Sequence, residues 1–158
     1  MNLSDLEITG KFFVSFGIVD SEPIAHCDVD NADLWVAEVI NRGQEEVCFF
    51  PLDGKITLFN ADGTQAKCCD CMLADPGLSR LYFVELKDRK LMPLIWLKDA
   101  CEQLKSTLMC FREDLIDRKV CAQVCNKRQI RSVRSAERMN TFKQETGYRL
   151  YVGRQVKW

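Results

Sequence analysis

Leu81-Tyr82-Phe83-Val84-Glu85-Leu86-Lys87-Asp88 is an apolar run that ends in an acid-x-lysine pair. Successive side chains of a strand alternate between its faces, so Glu85 and Lys87 project to one side and Val84 and Leu86 to the other. The apolar residues predict a buried strand, and a buried strand has little structural use for two ionisable groups. Burying such groups costs on the order of several kcal/mol unless they are paired or hold a metal. A carboxylate and an ammonium side by side therefore point to metal-assisted chemistry.

A second apolar run, Lys67-Cys68-Cys69-Asp70-Cys71-Met72-Leu73, contains Asp70 as its single acid. The turn signal Asp75-Pro76-Gly77 separates the two runs, which predicts neighbouring strands with Asp70 and Glu85 on one face. Two carboxylates and a lysine then surround one point. Hard divalent cations such as Mg2+ or Mn2+ take oxygen ligands, often one or two carboxylates with the other positions left to water and phosphate. Such an arrangement suits phosphodiester hydrolysis.

Asp70, fourteen intervening residues and then Glu85-Leu86-Lys87 resemble the PD-(D/E)xK signature of the restriction-endonuclease-like nuclease superfamily, with Cys69 where the proline usually stands. Two flanking segments extend the resemblance. Asn31 to Ile40 reads as a capped helix, apolar almost all the way round, with Glu38 embedded in it; in the superfamily an acid on the first core helix often completes the metal site. Pro93 to Leu108 has helical periodicity with Pro93 suited to the first turn, and it carries Gln103, a residue type that relatives often place near the catalytic lysine. The resemblance covers about residues 31 to 125. It implies an α/β fold with a restriction-endonuclease-like three-layer core, a mixed central β-sheet flanked by helices. It also implies catalytic residues Glu38, Asp70, Glu85, Lys87 and Gln103, of which Asp70, Glu85 and Glu38 would hold Mg2+ or Mn2+. The activity implied is a metal-dependent nuclease acting on nucleic acid, DNA first of all, and relatives that cut two strands often act as homodimers.

A chain of 158 residues is ordinarily one domain, here the core followed by a helix-strand segment over residues 126 to 158. With 47% hydrophobic and 28% charged residues the composition is globular rather than disordered. No apolar run approaches the ~20 residues that span a bilayer, and the N-terminus has no basic region followed by an apolar one. The expectation is a cytoplasmic protein without a membrane partner. Nine cysteines, an odd count without an export signal, fit reduced thiols in the core.

The net charge of -1 hides a division along the chain. Between Arg118 and Trp158 stand eleven Lys or Arg and two acids, leaving eleven bases and twenty-one acids before them. Neutralising phosphates is the main source of nucleic-acid affinity, so Lys127, Arg128, Arg131, Arg134 and Arg138 form a candidate backbone-contacting patch. The plainer reading of any one of them is a solvated helix face.

Elsewhere Gly10 to Val19 reads as one or two strands and Val47 to Phe50 as another, with Ile56 to Phe59 continuing a hairpin or meander. Lys119 to Cys125 reads as an interior strand, Ser135 to Glu145 as a helix ended by Gly147, and Tyr148 to Val152 as the last strand. Cys68-x-x-Cys71 and Cys121-x-x-x-Cys125 have spacings that a four-thiolate zinc site uses. A strand would point Cys68 and Cys71 to opposite faces, and neither pair has the Gly or Pro turn of a zinc knuckle, so structural Zn2+ is disfavoured. His26, the only histidine, lies outside any catalytic motif. A different class of function competes with the nuclease: a non-catalytic interaction or nucleic-acid-binding domain that reuses the same fold. The cost of a buried Asp70, Glu85 and Lys87 cluster favours the enzyme.

Overall fold

Alternating apolar runs and turn residues assemble two β-sheets. In the computed structural model, which describes residues 1–88, 93–128 and 133–158, the elements run β1 (Gly10–Phe12), β2 (Phe16–Val19), β3 (His26–Asp28), β4 (Ala37–Ile40), β5 (Val47–Pro51), β6 (Cys71–Ala74), β7 (Arg80–Lys87), α1 (Pro93–Cys110), β8 (Lys119–Asn126), α2 (Val133–Thr146), β9 (Arg149–Val152) and β10 (Gln155–Lys157). One sheet has six strands in the order β1-β5-β6-β7-β8-β9, and the other has four in the order β10-β4-β2-β3.

In the larger sheet β5, β6 and β7 form an antiparallel meander. Helix α1 then carries the chain back, so that β8 lies parallel to β7 over eight residues, from Arg80 opposite Lys119 to Lys87 opposite Asn126. Helix α2 repeats the crossover and sets β9 parallel to β8. A parallel pair needs a crossover of this kind because its second strand must start at the same end as the first.

Strand alternation divides the core in two. Leu81 and Phe83 of β7 and Ala122 and Val124 of β8 pack against Leu97 and Leu104 of α1, with Phe142 of α2 in the same cluster. Val84 and Leu86 of β7 face the other way, into a cluster with Phe16, Ile18, Val39 and Val156 of the smaller sheet. Each fully buried Leu, Ile, Val or Phe contributes about 1.5–3 kcal/mol. The buried face of α1 follows helical spacing through Leu97, Ala100, Cys101, Leu104 and Leu108. Helix α2 ends before Gly147, whose φ of +80° is the left-handed cap that glycine accepts without strain.

The protein is thus a mixed α/β fold of three layers, helices, six-stranded sheet and four-stranded sheet. The expectation of helices flanking the central sheet holds on one face only. The cause is the segment from Asn31 to Ile40, which is not a helix. Ala32–Leu34 form a single 3-10 turn, the Asn31 side chain makes no cap bond among the described residues, and Ala37–Ile40 are strand β4. Ala37 and Val39 point inward and Glu38 and Ile40 are half-buried, an alternation that suits β-branched Val39 and Ile40. The hairpin expected at Ile56 to Phe59 reduces to one bridge between Phe59 and Gln65. Among the described residues no helix is long and apolar enough to cross a membrane.

Trp35 fixes how the segment before β4 lies on the smaller sheet. Its indole nitrogen donates to Asp28 Oδ2 at 2.6 Å, and its ring covers Gly17, where an added Cβ would stand 2.0 Å from the ring. Gly17→Ala should therefore displace Trp35 and cost about 1–3 kcal/mol, as overpacking does. Urea denaturation checks this, and an unchanged midpoint would contradict the packing described.

Candidate active site

Strand pairing brings the acids together. Cys71 of β6 stands opposite Val84 of β7, and one step further sets Asp70 beside Glu85. The Leu86 amide donates to Asp70 Oδ2 at 2.5 Å and fixes that carboxylate at the edge of the sheet. Glu85 is 1% exposed, with Oε1 2.7 Å from Lys87 Nζ, while its buried Oε2 has no hydrogen-bond partner among the described residues. Both residues lie on the face that carries α1.

From α1 come the remaining groups. Lys87 Nζ donates to Gln103 Oε1 at 3.1 Å and lies 3.7 Å from Asp99 Oδ2. Gln103 Nε2 donates to the Cys68 carbonyl at 3.4 Å, tying the helix to the segment that leads into Asp70. Thr107, one turn on and fully buried, accepts from the Cys69 amide at 2.8 Å and donates to the Gln103 carbonyl at 2.9 Å. Asp99, Gln103 and Thr107 are spaced four residues apart, one polar stripe on an otherwise apolar helix face.

Burial, and then the neighbouring Asp70, push the Glu85 carboxyl up to about 9 against the pull of Lys87. Burial raises Asp70 as well, to about 6, opposed by the Leu86 amide and reinforced by the negative charge of Asp20. For Lys87, burial works against the ammonium, but Glu85, Asp70 and Asp99 outweigh it and hold its pKa above the ordinary lysine value. Both carboxyls therefore hold their protons more tightly than exposed acids do, because the dry site disfavours their charged forms and Asp70 adds its repulsion at Glu85.

The structure brings Asp70, Glu85, Lys87 and Gln103 into one cluster. It does not add Glu38, which sits on β4 in the other sheet and accepts a hydrogen bond from Gln155 Nε2 at 3.3 Å. Among the described residues no three His, Cys, Asp or Glu side chains are grouped to hold a metal. The donor set that does fit a hard cation is the pair Asp70 and Glu85, whose Oε2 is buried without a donor among the described residues, and two carboxylates suffice where water and phosphate complete the shell. Cys68 and Cys71 lie in the two different cores, and burial pushes the Cys68 thiol up to about 12. Lys127 and Arg128 follow β8 directly, and Arg138 is half-buried on α2 with its charge felt by Cys101 of α1. Arg131 and the side chain of Arg134 lie outside the described residues.

Sequence reasoning missed Asn126, Asp99 and Thr107. Asn126 is 3% exposed and pairs with Lys87 at the carboxyl end of β8. Its signal was a polar residue ending an apolar strand. Asp99 and Thr107 were legible from their spacing about Gln103. Compared with protein-family models, with curated proteins and with solved structures, the chain matches none.

Both raised carboxyls bind protons more tightly in the folded state than in the unfolded one, so without metal they should lower stability as pH rises from about 4 through about 9. Denaturant titrations in EDTA should show stability falling over that window by more than the ~1.4 kcal/mol that one unit of displacement is worth. Glu85→Gln should flatten the part between pH 6 and 9. Superimposable profiles for the variant and the wild type would show that Glu85 does not titrate as a buried acid.

Proposed function

We propose that this protein is a metal-dependent nuclease of the PD-(D/E)xK kind, hydrolysing phosphodiester bonds in nucleic acid, DNA foremost. The observation that carries this reading is the meeting of Asp70, Glu85, Lys87 and Gln103 at the carboxyl end of β7. Ligands of open α/β sheets bind at the carboxyl ends of parallel strands, where the loops leave room and the strand ends present polar groups. The succession of meander, acid-x-lysine strand, helix with a glutamine and parallel strand further supports the assignment.

Asp70 and Glu85 are the residues that would hold Mg2+ or Mn2+. Bound there, the cation would polarise the phosphorus and lower the pKa of a water molecule. Lys87, held charged by its acidic neighbours, faces the position of the scissile phosphate and stabilises the negative charge that grows on it. Gln103 holds Lys87 through Oε1 and the Cys68 carbonyl through Nε2, so it keeps the ammonium aligned with the strand that carries Asp70. Thr107 braces the same segment from behind.

The test is cleavage of single-stranded, duplex and branched DNA and of RNA in Mg2+ or Mn2+, with Glu85→Ala and Lys87→Ala beside the wild type. Losing the acid or the ammonium should lower the rate by at least about 100-fold, the scale of one preorganised charge, with folding checked by circular dichroism. Cleavage that survives in both variants would assign the activity elsewhere. No cleavage of any substrate, together with no Mn2+ binding by calorimetry, would leave a non-catalytic binding domain.

A further inference from the structure

The end of β8 carries a second set of polar groups next to the cluster. Asn126 lies opposite Lys87 in the parallel ladder, and alternation from Ala122 and Val124 turns its side chain to the face shared with Lys87. The next residue is tied to the same strand, since the Lys127 amide donates to the Lys87 carbonyl at 3.1 Å. Asn126 Nδ2 then donates to the Arg128 carbonyl at 2.8 Å, closing the turn over its own side chain. Two backbone-directed bonds thus set where Lys127 and Arg128 leave the sheet.

What marks these two cations is their place, directly after the strand that ends level with Lys87. Among the described residues neither enters an ion pair, whereas Lys67 holds Asp99, Lys105 holds Glu145 and Arg80 holds Glu45. Arg128 is exposed and Lys127 half-buried. On the other side of the cluster Asp53 follows β5, and its negative charge acts on Asp70. A polyanion is therefore favoured over the end of β8 relative to the β5 side of the cluster.

Building on the nuclease reading, we propose that Lys127 and Arg128 form the subsite for the backbone phosphate adjacent to the one that is cut, with Asn126 as the positioning residue that fixes their turn. Neighbouring strands stand about 4.8 Å apart, so the end of β8 lies one strand away from Lys87. A backbone that sets one phosphate against Lys87 and runs toward β8 brings its next phosphate within reach of Lys127 and Arg128. The substrate strand leaves the site across β8 rather than across β6.

Binding of a short fluorescein-labelled DNA duplex in Ca2+, followed by anisotropy over a salt series, tests the subsite. The logarithm of the affinity falls with that of the salt concentration by about 0.9 per phosphate contact. Lys127→Ala/Arg128→Ala should reduce the slope by about one to two, and Arg112→Ala, one charge removed beyond the far end of α1, should not reduce it. Asn126→Ala should reduce the slope by about one in the wild-type background and add nothing to the double variant, since it acts through the two cations. A wild-type slope in the double variant would overturn the subsite while leaving the nuclease reading intact. An Asn126→Ala effect of equal size in both backgrounds would overturn the positioning role, and if that variant does not fold, the double variant decides the subsite. A wild-type protein that binds no nucleic acid would remove the nuclease reading and the subsite together.

Discussion

The parallel pairing of β7 with β8, eight residues long without a break, is the constraint on which the rest of the structure depends. It forces the crossover that places α1 on one face of the sheet. It also aligns the ends of the two strands, so that Lys87 and Asn126 finish level at the same edge. Each polar group in the cluster comes either from that edge or from the helix the pairing requires. Shift the ladder by one residue and Glu85 and Lys87 turn toward the smaller sheet, into the cluster of Val84, Leu86 and Phe16.

The cluster is costly, and its cost explains its surroundings. Glu85 is enclosed with one oxygen paired to Lys87 and the other facing no donor among the described residues. An unpaired buried carboxylate is destabilising, so the fold favours a proton on Glu85. Gln103, Thr107 and Asp99 form a polar seam on α1 that receives Lys87 and the Cys68–Asp70 segment, and the remainder of the helix face is apolar and holds the seam rigidly against the sheet. Rigid support of this kind is what lets a site keep charged groups in place without water to solvate them.

The four-stranded sheet does the work that a second layer of helices would do in the architecture the motif led one to expect. It covers Val84, Leu86 and Cys125 with Phe16, Ile18 and Val39 and leaves the edge that carries Asp70 and Lys87 to the other layer. Glu38 belongs to this cover and not to the cluster. Asn31 to Ile40 contains enough apolar residues to satisfy either a helix or a strand, and local sequence does not choose between them. The choice came from partners distant in the chain: β2 on one side of β4 and β10, more than a hundred residues later, on the other.

By itself the sequence determined the elements whose signal is local. The apolar alternation of β7 and β8, the turn at Pro76-Gly77, the period of α1 and the glycine after α2 each act within a few residues, so their residues could be read directly. It also determined which ionisable groups stand in apolar surroundings, because Asp70, Glu85 and Lys87 interrupt runs that are otherwise greasy. Tertiary structure alone decided which of these groups meet, that the third layer is a sheet, that Glu38 stays outside, and that Asn126 stands level with Lys87. Those outcomes depend on pairing between strands far apart in the chain and on the burial that pairing produces, and no window of local sequence contains either.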